Sequence, residues 1–200
     1  MQRRIVELSH INKSFPGVKA LDDVSFDLNE GEVMALIGEN GAGKSTLMKI
    51  LSGVYQPDSG EIKVFGVTVE GLTPKKVQEL GIAIIHQELN MCTHLTVAEN
   101  IFLGREKTKG MVLSASEMNR EARNILERLG MDIDPETVVG DLAVSKQQMV
   151  EIAKALSANA RILIMDEPTS SESCGILAVA LFISPIVWKN CSILRTACRL

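Results

Sequence analysis

Basic runs are missing from this sequence. Its formal charge is −4, and nowhere do Lys and Arg cluster as phosphate-backbone binding demands, which speaks against nucleic acid as a partner. The first ten residues, Met1 to His10, hold no apolar signal core, so no secretory segment is expected there. The four cysteines, Cys92, Cys174, Cys191 and Cys198, show neither metal-ligand spacing nor a disulfide framework. They read as buried or incidental thiols of a chain kept in a reducing cytoplasm. Internal repeats and low-complexity linkers are absent as well. What is present is ordinary for a soluble globular protein: 200 residues, 46% apolar and 23% charged, enough for one domain or one and a small part.

Hydrophobic patterning gives the elements. Residues 3–8 and 24–28 alternate as strands do, and residues 61–69 alternate again. Val33–Ile37, Ile82–Ile85 and Ile162–Met165 are short apolar runs, the pattern of strands buried on both faces. A helix is expected from Lys44 to about Leu51, closed by Gly53. Another starts at Thr73-Pro74, an N-cap followed by proline in the first turn, and ends at Gly81. Ser114 and Glu117 have capping-box spacing ahead of a stripe of Met118, Ala122, Ile125, Leu126 and Leu129. Met149, Ile152, Ala153 and Leu156 form a second stripe. Strands alternating with helices predict a mainly parallel α/β sheet, with an antiparallel β portion near the N-terminus.

Gly38-Glu39-Asn40-Gly41-Ala42-Gly43-Lys44-Ser45 has the spacing of a phosphate-binding loop, and Thr46 follows. Glycines let successive backbone N–H groups turn inward around phosphate oxygens, and the helix opening at Lys44 adds the positive end of its dipole. Lys44 is placed to reach β- and γ-phosphates, and the Ser45 hydroxyl to reach Mg²⁺. Asp166-Glu167 ends an apolar strand, where such a fold carries its acidic residues. Asp166 is the candidate to hold Mg²⁺ through water, and Glu167 the candidate to polarise the attacking water. The bland alternatives are a glycine-rich turn and a solvated acidic turn; the two motifs together weigh against both.

Taken with His86-Gln87-Glu88, Leu142–Gln148 and Met165–Thr169, these motifs resemble the ATP-binding subunits of ABC transporters. The wording of Lys13–Leu21, Leu51–Gly60, Leu95–Gly104 and Gln148–Leu156 is similar to the bacterial sugar-importer branch, which takes in ribose, xylose and galactose importers. The resemblance covers residues 1–171, a partial nucleotide-binding domain with a helical insert at about 88–157. It implies an α/β P-loop NTPase fold, C-terminally incomplete, that binds ATP and Mg²⁺. By position, Phe15 implies the aromatic that stacks on adenine, the alternative being a core phenylalanine. Gln87 implies the glutamine that contacts Mg²⁺ and the attacking water. Implied partners are a membrane-spanning permease subunit and a second nucleotide-binding domain, with the chain peripheral on the inner membrane face.

The family's signature loop is Leu-Ser-Gly-Gly-Gln before a helix, and it faces the γ-phosphate held by the opposite protomer. The matching stretch here is Leu142-Ala143-Val144-Ser145-Lys146, with the serine and both glycines replaced. Losing that hydroxyl removes a hydrogen bond to a charged group worth roughly 1.5–3 kcal/mol. The helix expected after Lys146 still directs its dipole at the ligand.

Past Ser171 the pattern stops. The resemblance implies an Asp-containing loop, a helix, a strand and a γ-phosphate histidine, yet no histidine follows His94. Family members of the branch are about twice this length or more. The tail, 172–200, has Glu172 as its sole acidic residue and holds three of the four cysteines and the single tryptophan, Trp188. It reads in three ways: a helix or strand completing the sheet, a membrane-seeking segment too short for a span, or, as favoured here, a shifted-frame or joined sequence. The expected consequence is an uncovered sheet face and poor stability in isolation. Three functions stay open: an energy-coupling ATPase of sugar import, a remnant that binds ATP without turnover, and an ABC-type factor of translation or DNA repair. The sugar-branch wording weighs against the last.

Overall fold

A computed structural model of the protein describes residues 3–39, 41–85, 90–109, 112–165, 175–182 and 196–199. The chain divides into two compact units, one of residues 1–87 with 161–200, the other of residues 88–160.

In the first unit, β1 (Arg4–Phe15) and β2 (Val18–Asn29) form a long hairpin, extended on by β4 (Ser59–Val64) and β5 (Val67–Thr68). All pairings in this sheet are antiparallel, in the order β2-β1-β4-β5. The hairpin strands outrun the expected 3–8 and 24–28 because bulges let them bend without parting, and irregularities in register fall at Leu8/Ile11 and Lys13/Ser14. A bulged strand breaks strict alternation, which shortened the segments legible in the sequence. The alternating stretch 61–69 is interrupted by a turn at Phe65-Gly66, both residues at positive φ.

The second sheet carries β3 (Val33–Gly38), β6 (Ile82–Ile85), β9 (Ile162–Met165), β10 (Gly175–Phe182) and β11 (Thr196–Arg199), in the order β11-β3-β10-β9-β6. It is mixed rather than mainly parallel. β6·β9 and β3·β11 are parallel, but β10 runs against both of its neighbours, with Gly175 opposite Gly38 and Val179 opposite Ile164. Two strands from the tail, β10 and β11, thus join the sheet, and β10 lies between β3 and β9. The remaining tail residues lie outside the described residues. Because β3 and β9 both oppose β10, they point the same way, and β6 runs with β9 so that Ile85 faces Met165. The carboxyl ends of β3, β6 and β9 therefore share one edge of the sheet. Ligands of open α/β sheets bind outside that edge.

Two helices complete the described part of the unit. α1 (Lys44–Leu51) buries Leu47, Met48, Ile50 and Leu51 in the core, each fully buried aliphatic contributing roughly 1.5–3 kcal/mol. It ends as expected at Gly53, whose φ of 73° is left-handed and whose added Cβ would lie 2.6 Å from the Thr73 carbonyl carbon. α2 (Pro74–Glu79) starts on the expected cap, with the Thr73 hydroxyl accepting the Lys76 N–H at 3.3 Å.

The second unit holds α3 (Val97–Ile101), the short hairpin β7 (Thr108–Lys109) and β8 (Val112–Leu113), α4 (Ala115–Arg128) and α5 (Val144–Ser157). The capping box expected at Ser114 does not form, and the Ser114 side chain makes no cap hydrogen bond. A capping box stands instead at Thr96, whose hydroxyl accepts from Glu99 N–H while the Glu99 carboxylate accepts from Thr96 N–H. α4 buries Met118, Ala122 and Leu126, with Ile125 at the margin. In α5 the buried positions are Val150, Glu151, Ile152 and Ala153, while Met149 and Leu156 are half-buried, so the stripe is rotated from the expected one. Cys92 is exposed, not buried. Among the described residues no helix is long and apolar enough to cross a membrane.

Candidate functional site

The phosphate-loop candidate begins where β3 ends, at buried Gly38 on the shared strand edge. The chain turns at once: Ala42 N–H donates to the Glu39 carbonyl at 3.1 Å. Gly41 and Gly43 have φ of 88° and 87°, a region that side chains resist. Gly43 is doubly constrained, since an added Cβ would meet the Ala20 carbonyl oxygen at 2.5 Å and Leu21 Cδ2 at 2.8 Å. Gly43 is also the N-cap of α1, its carbonyl accepting the Leu47 N–H at 2.9 Å. The leading N–H groups of a helix have no intrahelical partner and face out of its positive end.

Lys44 is 9% exposed, and its Nζ donates to the carbonyls of Gly38 at 2.6 Å and Glu39 at 2.8 Å. The loop therefore holds a cation against its own backbone. Ser45 is exposed and Thr46 half-buried in the same first turn of the helix. The free N–H groups at the start of α1, a fixed ammonium and an accessible hydroxyl suit an anion of several oxygens and a hard cation beside it. Of the expected site residues, Asn40, Gln87, Asp166 and Glu167 lie outside the described residues. The strands that lead to the last three, β6 and β9, end at the edge from which the loop departs.

Phe15 stands half-buried at the end of β1 and does not belong to the main core cluster. Its ring meets that of Tyr55 edge-on, with centroids 5.3 Å apart and planes at 64°. Tyr55 was not legible as a partner, because 40 residues of sequence separate the two rings.

In the second unit the signature stretch follows a 3₁₀ turn at Val139–Asp141. α5 begins at Val144, so Val144, Ser145 and Lys146 form its first turn rather than preceding it. The reason is local: Ala143 is extended, and its carbonyl accepts from Lys146 and Gln147 N–H at 2.9 and 3.0 Å, starting the helix early. Ala143 offers no capping side chain, and Ala143 to Lys146 are all exposed, Val144 at 63%. Leu142 is half-buried, and its carbonyl accepts from Gln147 Nε2 at 2.9 Å.

Two buried polar side chains that sequence reading passed over organise residues 90–100. Asn100 is fully buried; its Oδ1 accepts the Cys92 N–H at 2.9 Å and its Nδ2 donates to the Cys92 and Thr96 carbonyls, each at 3.0 Å. Glu151 of α5 accepts the Asn90 N–H at 3.1 Å through Oε1, while Oε2 is buried with no partner among the described residues.

With this geometry in place, the known proteins decide the family. The family model described as ABC transporter matches residues 21–170. The chain belongs to the ABC transporter family. Curated relatives extend the match. A Burkholderia ambifaria protein named as a ribose/galactose/methyl galactoside import ATP-binding protein is 59% identical over 169 residues, 84% of this chain and 33% of that protein. An Agrobacterium fabrum protein named likewise is 56% identical over 167 residues, with the same coverage. The chain spans about a third of the length of the curated relatives it matches. Among solved structures, the ADP conformation of an ATP-binding cassette of an ABC transporter shares 31% identity at TM-score 0.72, covering 84% of this chain and 70% of its own. The cbiO1 protein from Clostridium perfringens, part of an ABC transporter complex, shares 27% identity at TM-score 0.71, covering 85% and 68%. The P-loop NTPase fold of the family is thus this chain's fold, and ATP binding is the family's common property. The family match begins after Phe15, so that residue's role rests on position alone.

Proposed function

We propose that the chain is an ATP-binding portion of a carbohydrate importer's energy-coupling subunit, which binds and hydrolyses ATP to drive sugar uptake. The observation that carries this reading is the loop Gly38–Thr46 at the common edge of β3, β6 and β9, with left-handed Gly41 and Gly43 and a buried Lys44 ammonium. Support for the sugar class comes from the names of the relatives at 56–59% identity.

In this reading backbone N–H groups of Gly41 to Thr46 hold the phosphates, and Lys44 exchanges its two carbonyl partners for β- and γ-phosphate oxygens. Phe15 stacks on adenine. Ser45, Asp166 and Gln87 would hold Mg²⁺, which would supply positive charge beside the phosphate oxygens. Glu167 is the general base that takes a proton from the attacking water. Leu142 to Lys146 face the γ-phosphate of a second nucleotide-binding domain. A membrane-spanning permease subunit takes up the energy, with the chain on the inner face of the membrane.

A second reading is nucleotide binding without turnover. It is favoured by Ala143, which offers no hydroxyl at the signature position. Calorimetric ATP binding and phosphate release by the purified chain separate the two, with Lys44→Ala and Glu167→Gln as controls. Turnover lost on Glu167→Gln establishes the ATPase. Binding lost on Lys44→Ala without turnover in the parent chain establishes the second reading. Folded protein that binds no ATP overturns both.

A further inference from the structure

Phe15 is held by more than its own strand. Tyr55 lies just past α1, and the N–H groups of both Val54 and Tyr55 donate to the Lys49 carbonyl at 2.9 Å, which ties the tyrosine to the last turn of the phosphate-loop helix. Lys49 Nζ stands 5.5 Å from the Tyr55 ring centroid, and Lys13 Nζ stands 5.7 Å from that of Phe15. Asp58 closes the assembly. Its carboxylate accepts from Lys13 Nζ and from Ser14 N–H, each at 2.7 Å, and its own N–H donates to the Asn12 carbonyl at 2.8 Å. Residues 12–15 of β1 are thereby laced to residues 54–58. Further round the same hairpin, Ala20 and Leu21 close against Gly43 of the phosphate loop.

We propose that Tyr55 is a positioning residue for base recognition, fixing the Phe15 ring relative to the phosphate loop so that a purine can stack on it. The inference rests on the reading of Phe15 as the adenine platform and goes beyond it by naming what sets that platform. A phenylalanine at a strand end has no hydroxyl with which to anchor itself. Its ring angle is set by neighbours, and an edge-on aromatic contact is the directional one available. Lys13 Nζ lies over one face of the ring. Because Tyr55 is tied by its N–H to the last turn of α1 and the phosphate-loop candidate opens the first turn, the distance from base platform to phosphate cradle is set before nucleotide arrives. Such preorganisation raises affinity without a new contact to the ligand.

The test compares binding of ATP and of inorganic tripolyphosphate, which lacks a base, to the full chain and its variants by titration calorimetry. Phe15→Ala is expected to weaken ATP binding and leave tripolyphosphate binding unchanged. Tyr55→Ala is expected to weaken ATP roughly three- to tenfold, the range of an aromatic edge contact, again sparing tripolyphosphate. Tyr55→Phe keeps the ring and retains ATP affinity. The double variant Phe15→Ala/Tyr55→Ala binds no more weakly than Phe15→Ala alone, since Tyr55 acts through Phe15. Phe15→Ala without effect on ATP overturns the platform reading, and the inference with it. A Phe15 effect with no Tyr55→Ala effect overturns the inference alone. Loss of tripolyphosphate binding in Tyr55→Ala assigns it a structural role, and additive losses in the double variant assign it a direct base contact; either overturns positioning.

Discussion

Two helices of this chain begin at loops that meet phosphate in the ABC family, and they begin differently. α1 starts from a left-handed, buried Gly43 whose missing Cβ lets the hairpin close in, with a buried Lys44 as its first residue. α5 starts from an extended Ala143 with no cap side chain and presents exposed Val144, Ser145 and Lys146. The first helix N-terminus is built into the core of its unit, whereas the second is open and chemically thinned. A loop that must cradle phosphate by itself needs fixed backbone, and tolerates almost no side chain. In the proposed reading the loop before α5 closes on a neighbour's nucleotide, and it varies in chemistry while keeping its helix.

The largest effect should come from placing a methyl where α1 admits none. Gly43→Ala meets both positive φ and the Ala20 oxygen, and chemical denaturation should show a loss of roughly 2–4 kcal/mol together with loss of ATP binding. If the variant keeps parental stability and ATP affinity, the contrast between the two helix starts dissolves. Lys44→Ala comes next. It should leave the fold intact and lower ATP affinity roughly a hundredfold in calorimetry, the worth of a charge-assisted contact to phosphate. At α5 the expected sign reverses. Ala143→Ser supplies the absent cap and should raise stability by about 0.5–1 kcal/mol in thermal or urea melts. The same change at α1 has no place to act.

The smallest effect concerns acid. The Asp58 carboxyl is held below its ordinary value of 3.8, chiefly by the Lys13 ammonium and next by the Ser14 N–H. A carboxylate lowered in this way stabilises the fold above its ordinary range and gives that up as pH falls through the folded value. Acidification from about pH 5 to about pH 2 should therefore lower the melting temperature less in Asp58→Asn than in the parent chain. Equal slopes would show that the lacing of residues 12–15 to 54–58 does not hold in solution.

The sequence disclosed those parts whose chemistry is local. Gly41, Gly43, Lys44 and Gly53 each stand where a short-range rule demands their residue type, and Thr73-Pro74 capped α2 as its pattern predicts. What it concealed depends on distance or on geometry. Thr96 and Ser114 offer the same spacing to Glu99 and Glu117, and backbone direction alone decides that the box closes at Thr96. The Glu151 and Asn100 side chains hold backbone that lies far away or reverses on itself, which periodicity cannot register. Phe15 was legible and Tyr55 was not, since an aromatic contact across 40 residues has no sequence signature. The direction of β10 was likewise hidden, because a run apolar on every face carries no information on which way it enters a sheet.

That direction has a consequence for the order in which the protein can assemble. β3, which delivers the phosphate loop, and β9, which leads to Asp166, both pair with β10 and not with each other. Until residues 175–182 arrive, each of these strands presents an open edge on its β10 side. A ribosome emitting about 5–20 residues per second finishes the hairpin and phosphate loop many seconds before the strand that joins them to the rest of the sheet. During that interval the nascent chain carries apolar strands with unpaired N–H and C=O groups, the condition that invites edge-to-edge association. β10, which lies between β3 and β9, is thus made after both of them, and of the described strands in this sheet only β11 follows it.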